Sequence, residues 1–182
     1  MTQVVTLLLA RHARVAVDGV CYGQCDVPTH MDDEEAAQML LTQLEALAAS
    51  PVRVWSSPWR RTRGPAERVA KSLGVPLTVD ARLSELAFGA WEGRPYATLE
   101  KEPVFQTWMA NWQSAAPPGG ERLAELLARV AAWHAEAIAS GDRALVLTHA
   151  GVIRALRAEA RRIPYSDVVT EPVEPLRLER AE

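Results

Sequence analysis

The 182-residue sequence lacks several features that would place it in a specialised class of protein. It has only two cysteines, Cys21 and Cys25, which are too few for a disulfide scaffold. No apolar run approaches the roughly 20 residues that cross a membrane. The formal net charge is −3, so no positive excess favours nucleic acid or an anionic membrane surface. We therefore expect a cytoplasmic protein with reduced thiols, no nucleic-acid partner and no membrane contact.

The composition that remains is that of an ordinary folded protein. A hydrophobic fraction of 48% and a charged fraction of 24% fit one globular domain, which we expect to span residues 1–182. Short apolar runs predict buried strands at residues 4–10, 52–55, 77–79 and 143–148. Amphipathic stretches between them predict helices over about residues 32–49, 57–74, 121–140 and 151–162. This alternation indicates an α/β fold with a mainly parallel sheet.

Local signals suggest where several elements begin and end. Asp32 or Asp33 can cap the first helix, whose apolar face would carry Ala36, Leu40, Leu44 and Leu47. Ser57 would cap the second helix, with Pro58 at its first position. We also expect a short terminal strand around Leu176–Leu178.

Three polar segments directly follow predicted strands. Arg11 and His12 follow the first strand, the segment from Ser57 to Arg61 follows the second, and His149 follows the last. Ligands of an open α/β sheet bind outside the carboxyl ends of its strands. Both histidines and the arginines should therefore meet in one crevice, at which the helices beginning near Pro58 and Gly151 point their N-termini.

Histidine and arginine together favour phosphate chemistry. Guanidinium groups bind phosphate oxygens in a bidentate manner, and helix N-termini add N–H donors. A neutral imidazole can attack phosphorus and carry the phosphoryl group covalently. A leaving alcohol needs a proton, for which Glu85 is our candidate donor, while Glu92 is interpreted as structural.

These motifs, in this order, resemble the histidine phosphatase superfamily, also called the phosphoglycerate-mutase-like family. The shared pattern is Arg-His after the first strand, Ser-Pro-x-x-Arg, a central acidic residue and a second histidine, over about residues 4–160. The resemblance implies a three-layer α/β/α fold and a phosphomonoesterase that needs no metal or cofactor. It also implies that His12 is the phosphorylated nucleophile and Glu85 the proton donor. The implied phosphate clamp consists of Arg11, Arg61 and His149.

The sequence departs from the family pattern beside the nucleophile. Ala13 replaces a glycine, which requires a negative φ at that position. Residues 14–16, Arg-Val-Ala, replace polar residues and remove expected substrate contacts. Within the superfamily, the sequence is most similar to the α-ribazole phosphatases, which dephosphorylate a precursor of the cobalamin lower loop. That likeness lies in segments 19–23, 26–28 and 88–93 and in the stretch Trp108–Trp112 followed by Pro-Pro-Gly-Gly-Glu.

Two other functions stay open at this level. A phosphoglycerate mutase would return the phosphoryl group to its substrate, although such enzymes usually have longer chains. A non-catalytic module for phosphorylated ligands would explain the change at Ala13. Cys21, Cys25 and His30 would form an incomplete zinc site, so we expect no metal. The expected ligand is a small-molecule phosphoester, bound by a monomer or homodimer, and the sequence does not identify its alcohol.

Overall fold

The computed structural model of the protein describes residues 6–181. Within that range a five-stranded sheet has the order β3-β2-β4-β1-β5. Its strands are β1 (Leu7–Arg11), β2 (Arg53–Ser56), β3 (Leu77–Val79), β4 (Ala144–Thr148) and β5 (Glu179–Arg180). All pairs are parallel except β1 with β5. The predicted α/β fold with a mainly parallel sheet is confirmed, while positions 4 and 5 of the predicted first strand lie outside the described residues.

Helices cover both faces of this sheet. They are α1 (Asp33–Ala46), α2 (Arg60–Leu73), α3 (Tyr96–Leu99), α4 (Pro103–Asn111), α5 (Leu123–Ser140), α6 (Ala150–Arg161) and α7 (Tyr165–Val168). Side chains alternate along β1, so Leu7 and Leu9 pack in a core with α5 and α6, whereas Leu8 and Ala10 pack in a second core with α1 and α2. The three-layer arrangement follows from this alternation. No helix within residues 6–181 is both long and apolar enough to span a bilayer.

Helix α1 begins as its sequence predicts. Asp32 is the N-cap, and its side chain accepts hydrogen bonds from the N–H groups of Glu34 and Glu35 while Glu35 reaches back to the Asp32 backbone. The predicted buried face holds for its first three members. The prediction that Leu47 belongs to this face is wrong, because the helix ends before Leu47 and that residue is 51% exposed.

Two predicted boundaries are also wrong. Helix α2 begins at Arg60 with Trp59 as N-cap, because Ser57 still continues the sheet and its N–H donates to the Leu147 carbonyl at 3.2 Å. The terminal strand is Glu179–Arg180, because Leu176 adopts a left-handed φ of 53° that interrupts an extended chain.

The strand order brings together residues that are far apart in sequence. β4 lies between β1 and β2, with Arg11 opposite Thr148 and Ser56 opposite Leu147. The first residue after each strand therefore shares one edge of the sheet. The N–H of His12 donates to the Thr148 carbonyl at 3.1 Å, so His12 stands directly beside the start of α6.

Candidate active site

His12 is held as a neutral imidazole with a defined tautomer. The residue is 2% exposed, and Nδ1 lies 2.7 Å from the carbonyl oxygen of Ala13, so Nδ1–H donates that bond. Burial, followed by the charges of Arg61 and Arg11, lowers the pKa of His12 to about 3, although the bond to Ala13 opposes the shift. Nε2 therefore keeps its lone pair at ordinary pH.

Ala13 meets the condition that its sequence position imposes. The φ of Ala13 is not positive, and its side chain is buried in the core that contains Leu8 and Ala10. The methyl group is thus a packing group on the α1–α2 side of the sheet. The backbone carbonyl that orients His12 needs no glycine at this position.

Two arginines each have a buried N–H donor without a partner among the described residues. Arg11 donates from Nη1 to the Val173 carbonyl at 3.0 Å, and Arg61 donates to the carbonyls of Gly23 and Cys25. The Nε atoms of both arginines are buried and have no hydrogen-bond partner within residues 6–181. An unpaired buried donor is costly, so these two N–H groups are candidates for an anionic ligand.

His149 is enclosed behind His12. It is 0% exposed, and its ring centroid lies 5.3 Å from that of His12. Nε2 lies 2.7 Å from Ser57 Oγ, and Nδ1 lies 3.3 Å from Nη2 of Arg61. Burial first, and then the charge of Arg61, lowers the pKa of His149 well below its ordinary value, so this ring is neutral as well.

Glu85 lies at the N-terminus of α6. Its Oε2 accepts the N–H of Gly151 at 3.0 Å, and its Oε1 accepts the N–H of Leu86 at 3.1 Å. A Cβ atom on Gly151 would stand 2.0 Å from Oε1 of Glu85. Glycine at position 151 is therefore a condition for the observed place of this carboxylate.

The N-termini of α2 and α6, which the sequence analysis expected to bind phosphate, each donate a backbone N–H to a carboxylate of the protein. Gly151 donates to Glu85, and the N–H of Arg60 at the start of α2 donates to Oδ1 of Asp26 at 2.8 Å. Unlike these two backbone donors, the Nε–H groups of Arg11 and Arg61 have no partner within residues 6–181 and remain free to bind an anion.

Arg129 of α5 fixes the backbone of the segment that carries Glu85. Its guanidinium donates to the carbonyls of Arg82, Ser84 and Glu85 at 2.7, 2.6 and 3.0 Å. It also pairs with Glu121 at 2.6 Å. The sequence analysis missed Arg129, since one arginine within an amphipathic helix carries no local signal of this role.

Glu92, considered as a rival acid, is occupied by the backbone. Its carboxylate accepts the N–H groups of Gly23, Gln24 and Phe88 at 2.8 to 2.9 Å. Burial alone would raise its pKa, but these donors outweigh that effect and lower it. Glu92 holds the loop that carries the Arg61 acceptors, in keeping with its structural interpretation.

A cavity of about 670 Å³ opens in front of this edge of the sheet. Arg11, His12 and Glu85 line it, whereas Arg61 and His149 are buried and are not among its lining residues. Its outer wall is apolar and aromatic, formed by side chains that include Val20, Leu86, Phe88, Trp108, Trp112 and Tyr165. Arg14 also lines the cavity, with its side chain 75% exposed.

A neutral imidazole beside buried guanidinium N–H groups suits the transfer of a phosphoryl group, so the site defines an enzyme that acts on phosphate esters. The chain belongs to the histidine phosphatase superfamily (branch 1), because the model of that family matches residues 7–181.

Relatives and solved structures agree with this assignment. The adenosylcobalamin/α-ribazole phosphatase of Escherichia coli K12 is 29% identical over 170 residues, covering 87% of this chain and 80% of the relative. The glucosyl-3-phosphoglycerate phosphatase of Mycobacterium tuberculosis H37Rv is 30% identical over 154 residues, covering 74% and 68%. The α-ribazole phosphatase structure from Shigella flexneri gives a TM-score of 0.86 at 27% identity, covering 97% of this chain and 89% of that one. The predicted superfamily, phosphatase class and likeness to α-ribazole phosphatases are confirmed.

Proposed function

We propose that the chain hydrolyses phosphomonoesters through a phosphohistidine on His12, and that its substrate is α-ribazole 5'-phosphate. The observation that carries the proposal is the state of His12. Its ring is neutral, and Nδ1–H is bound to the Ala13 carbonyl, so the remaining lone pair on Nε2 is available for attack. A nucleophile in the required protonation state needs no separate base.

Charge on the phosphoryl group would be met by the two arginines. The buried Nε–H groups of Arg11 and Arg61 would each gain the hydrogen bond that they lack within the described residues. Donors that are already oriented stabilise the oxygens of the transferring group without reorganisation. In this role Arg11, which lines the cavity, and the buried Arg61 both contact the phosphoryl group, with His149 as a further donor.

Glu85 supplies the proton chemistry in this proposal. As the bond from His12 Nε2 to phosphorus forms and the bond from phosphorus to the alcohol oxygen breaks, Glu85 gives its proton to that oxygen. In the second step Glu85 takes a proton from water, whose oxygen attacks phosphorus and releases His12. Both side chains line the same cavity, as this exchange requires.

The substrate is proposed from the wall of the cavity and from the relatives. Phe88, Trp108, Trp112 and Tyr165 offer apolar ring surface to the alcohol part of an ester. α-Ribazole presents a planar benzimidazole, which suits such a wall better than a small polar alcohol does. The names of the Escherichia coli and Shigella flexneri proteins support this choice.

A substrate panel tests the proposal. Hydrolysis rates are measured for α-ribazole 5'-phosphate, phosphoserine, glucosyl-3-phosphoglycerate and p-nitrophenyl phosphate, with and without a chelator. We expect the highest kcat/KM for the first ester and no effect of the chelator. A higher kcat/KM for another ester would overturn the substrate assignment, and interconversion of phosphoglycerates would favour a mutase.

The covalent step is tested separately. Rapid acid-free quenching after addition of labelled ester should trap an acid-labile phosphoryl group on the wild-type chain. His12→Ala should lose this label and activity, whereas the matched variant His134→Ala, which removes a histidine paired with Glu159 on the helical layer, should keep both. Full activity of His12→Ala would overturn the mechanism, and ligand binding without any turnover would favour the non-catalytic alternative.

A further inference from the structure

Ser57 lies at the centre of a buried hydrogen-bond chain behind the phosphate site. Its Oγ is 2.7 Å from His149 Nε2, 3.0 Å from Thr62 Oγ1 and 3.3 Å from the N–H of Trp59. Ser57, Thr62 and His149 are all fully buried. Protons in this chain must therefore be arranged among these groups, without bulk water as a substitute partner.

The free protein has one consistent arrangement of these protons. The Arg61 guanidinium can only donate, so Nδ1 of His149 accepts from it and the single ring proton is on Nε2. Nε2–H then donates to Ser57 Oγ, whose own proton goes to Thr62 Oγ1. Thr62 in turn donates to the carbonyl of Trp59 at 2.8 Å.

A bound phosphoryl group reverses the requirement. Its oxygens are acceptors and can take the Arg61 donor that Nδ1 accepts in the free protein. A bond from Nδ1 of His149 to the same phosphoryl group then needs a proton on Nδ1. Nε2 must then accept from Ser57, and Ser57 must accept from Thr62. Thr62 can turn away from the Trp59 carbonyl at low cost, because that oxygen still accepts the N–H groups of Thr62 and Arg63 at 3.0 and 2.9 Å.

We propose that Ser57 and Thr62 form a reversible hydroxyl pair that sets the tautomer of His149. In the free protein the pair accepts Nε2–H, and when a phosphoryl group is bound the pair turns and the ring donates from Nδ1. The ring stays neutral throughout, since transient opening of the site lets water take the proton from Nε2 and supply one to Nδ1. Ser57 and Thr62 are thus positioning residues that act through His149, and this inference rests on the proposed phosphate site.

Nitrogen NMR of the full chain tests the proposal directly. Ring nitrogens of ¹⁵N-labelled histidine are recorded with and without orthovanadate, a mimic of the transferring phosphoryl group, and His149 is assigned by the loss of its signals in His149→Gln. We expect the proton on Nε2 in the free protein and on Nδ1 with vanadate. Vanadate bound with the proton still on Nε2 would overturn the inference and leave the proposed function intact.

Thr62→Val gives the sharper comparison. Without Oγ1 at position 62, the only acceptor near the Ser57 hydroxyl within the described residues is Nε2 of His149. The ring of the free variant should therefore shift toward the tautomer with its proton on Nδ1, against the preference that Arg61 imposes, whereas Thr62→Ser should keep the wild-type pattern. Thr42→Val, the same change on the exposed side of α1, should alter nothing. An unchanged tautomer in Thr62→Val would contradict the proposal.

Kinetics provide a second readout. Ser57→Ala removes both the acceptor and the donor of Nε2, so we expect kcat/KM to fall by about 10- to 100-fold, as for the loss of one buried hydrogen bond. The loss should appear together with weaker inhibition by vanadate. If neither vanadate binding nor hydrolysis is found in the wild type, the proposed function fails, and the tautomer of free Thr62→Val still decides whether the hydroxyl pair controls the ring.

Discussion

Glu85 fills the space in which a side chain on Gly151 would lie. The distance from an added Cβ to Oε1 of Glu85 would be 2.0 Å, and the backbone N–H of Gly151 donates to the other oxygen of the same carboxylate at 3.0 Å. The close approach and the hydrogen bond act together, since only glycine lets the start of α6 come this near. The proposed proton donor is therefore positioned by a residue that has no side chain.

Gly151→Ala should remove proton donation and leave the fold intact. The new methyl group forces Glu85 out of its place, so we expect kcat to fall by about 10²-fold or more for alkyl phosphates. The fall should be smaller for p-nitrophenyl phosphate, whose leaving group needs little protonation.

A matched control exists for that change. Gly64→Ala in α2 also meets a carboxylate, that of Asp33, but it lies away from the cavity and Asp33 can move. It should leave the ratio of the two rates unchanged. Equal losses for both esters in Gly151→Ala would contradict a proton-transfer role for Glu85.

Buried neutral His12 predicts a loss of stability in acid. Its pKa is about 3 in the folded chain, against the ordinary 6.5 in the unfolded chain. As the pH falls through 6.5, the unfolded chain binds a proton that the folded one does not, so stability is complete above that pH and declines below it. The contribution of His12 is about 1.4 kcal/mol per pH unit until the pH approaches 3.

Urea unfolding between pH 6 and pH 4 measures this slope. His12→Gln cannot take up a proton in either state, so its free energy of unfolding should depend less steeply on pH than that of the wild type. The difference in slope should be about 1.4 kcal/mol per pH unit. Parallel curves for the two proteins would show that His12 titrates normally in the folded chain.

Sequence patterns predicted the parts of the site that depend on local order. Arg11 and His12 end a short apolar run, and the Ser-Pro-x-x-Arg segment follows another, so their place at strand ends could be read directly. The meeting of His12 and His149 in one crevice followed from the general rule for α/β sheets, but their direct contact could not be predicted, because it depends on β4 entering the sheet between β1 and β2. Strand order results from long-range packing and leaves no local pattern.

Ser57 is singled out by the sequence, but the role predicted for it there, that of a helix cap, is wrong. Serine before proline favours a helix cap, yet the backbone of Ser57 remains bonded to β4 and its hydroxyl contacts His149. Whether Ser57 caps the helix or bonds to β4 and His149 depends on where those distant segments lie, which the local sequence does not show. Arg129 was missed for the same reason, since its three carbonyl acceptors lie in a segment more than 40 residues away.

Arg129→Met should loosen the segment that carries Glu85. The change removes three hydrogen bonds to carbonyls and leaves Glu121 without its partner, so we expect a loss of about 3 kcal/mol in urea unfolding. The kcat should fall while inhibition by vanadate is unchanged, because the phosphate contacts lie elsewhere. The double variant Arg129→Met/Glu121→Gln removes the unpaired Glu121 carboxylate, and it should restore part of the stability but not the kcat. Full recovery of kcat would mean that the unpaired Glu121, and not the lost carbonyl contacts, disturbs the site.

Trp112 should determine selectivity for the alcohol part of the ester. Its ring meets that of Tyr165 edge to face at 6.2 Å, and both line the outer wall of the cavity. Trp112→Ala removes ring surface that a benzimidazole would contact, so KM for α-ribazole 5'-phosphate should rise about 10-fold. Trp112→Phe keeps an aromatic ring and should stay within a few-fold of the wild type. Phosphoserine carries no ring, and its kcat/KM should be unaffected by either change. An equal effect of Trp112→Ala on both esters would mean that Trp112 supports the wall without touching the substrate.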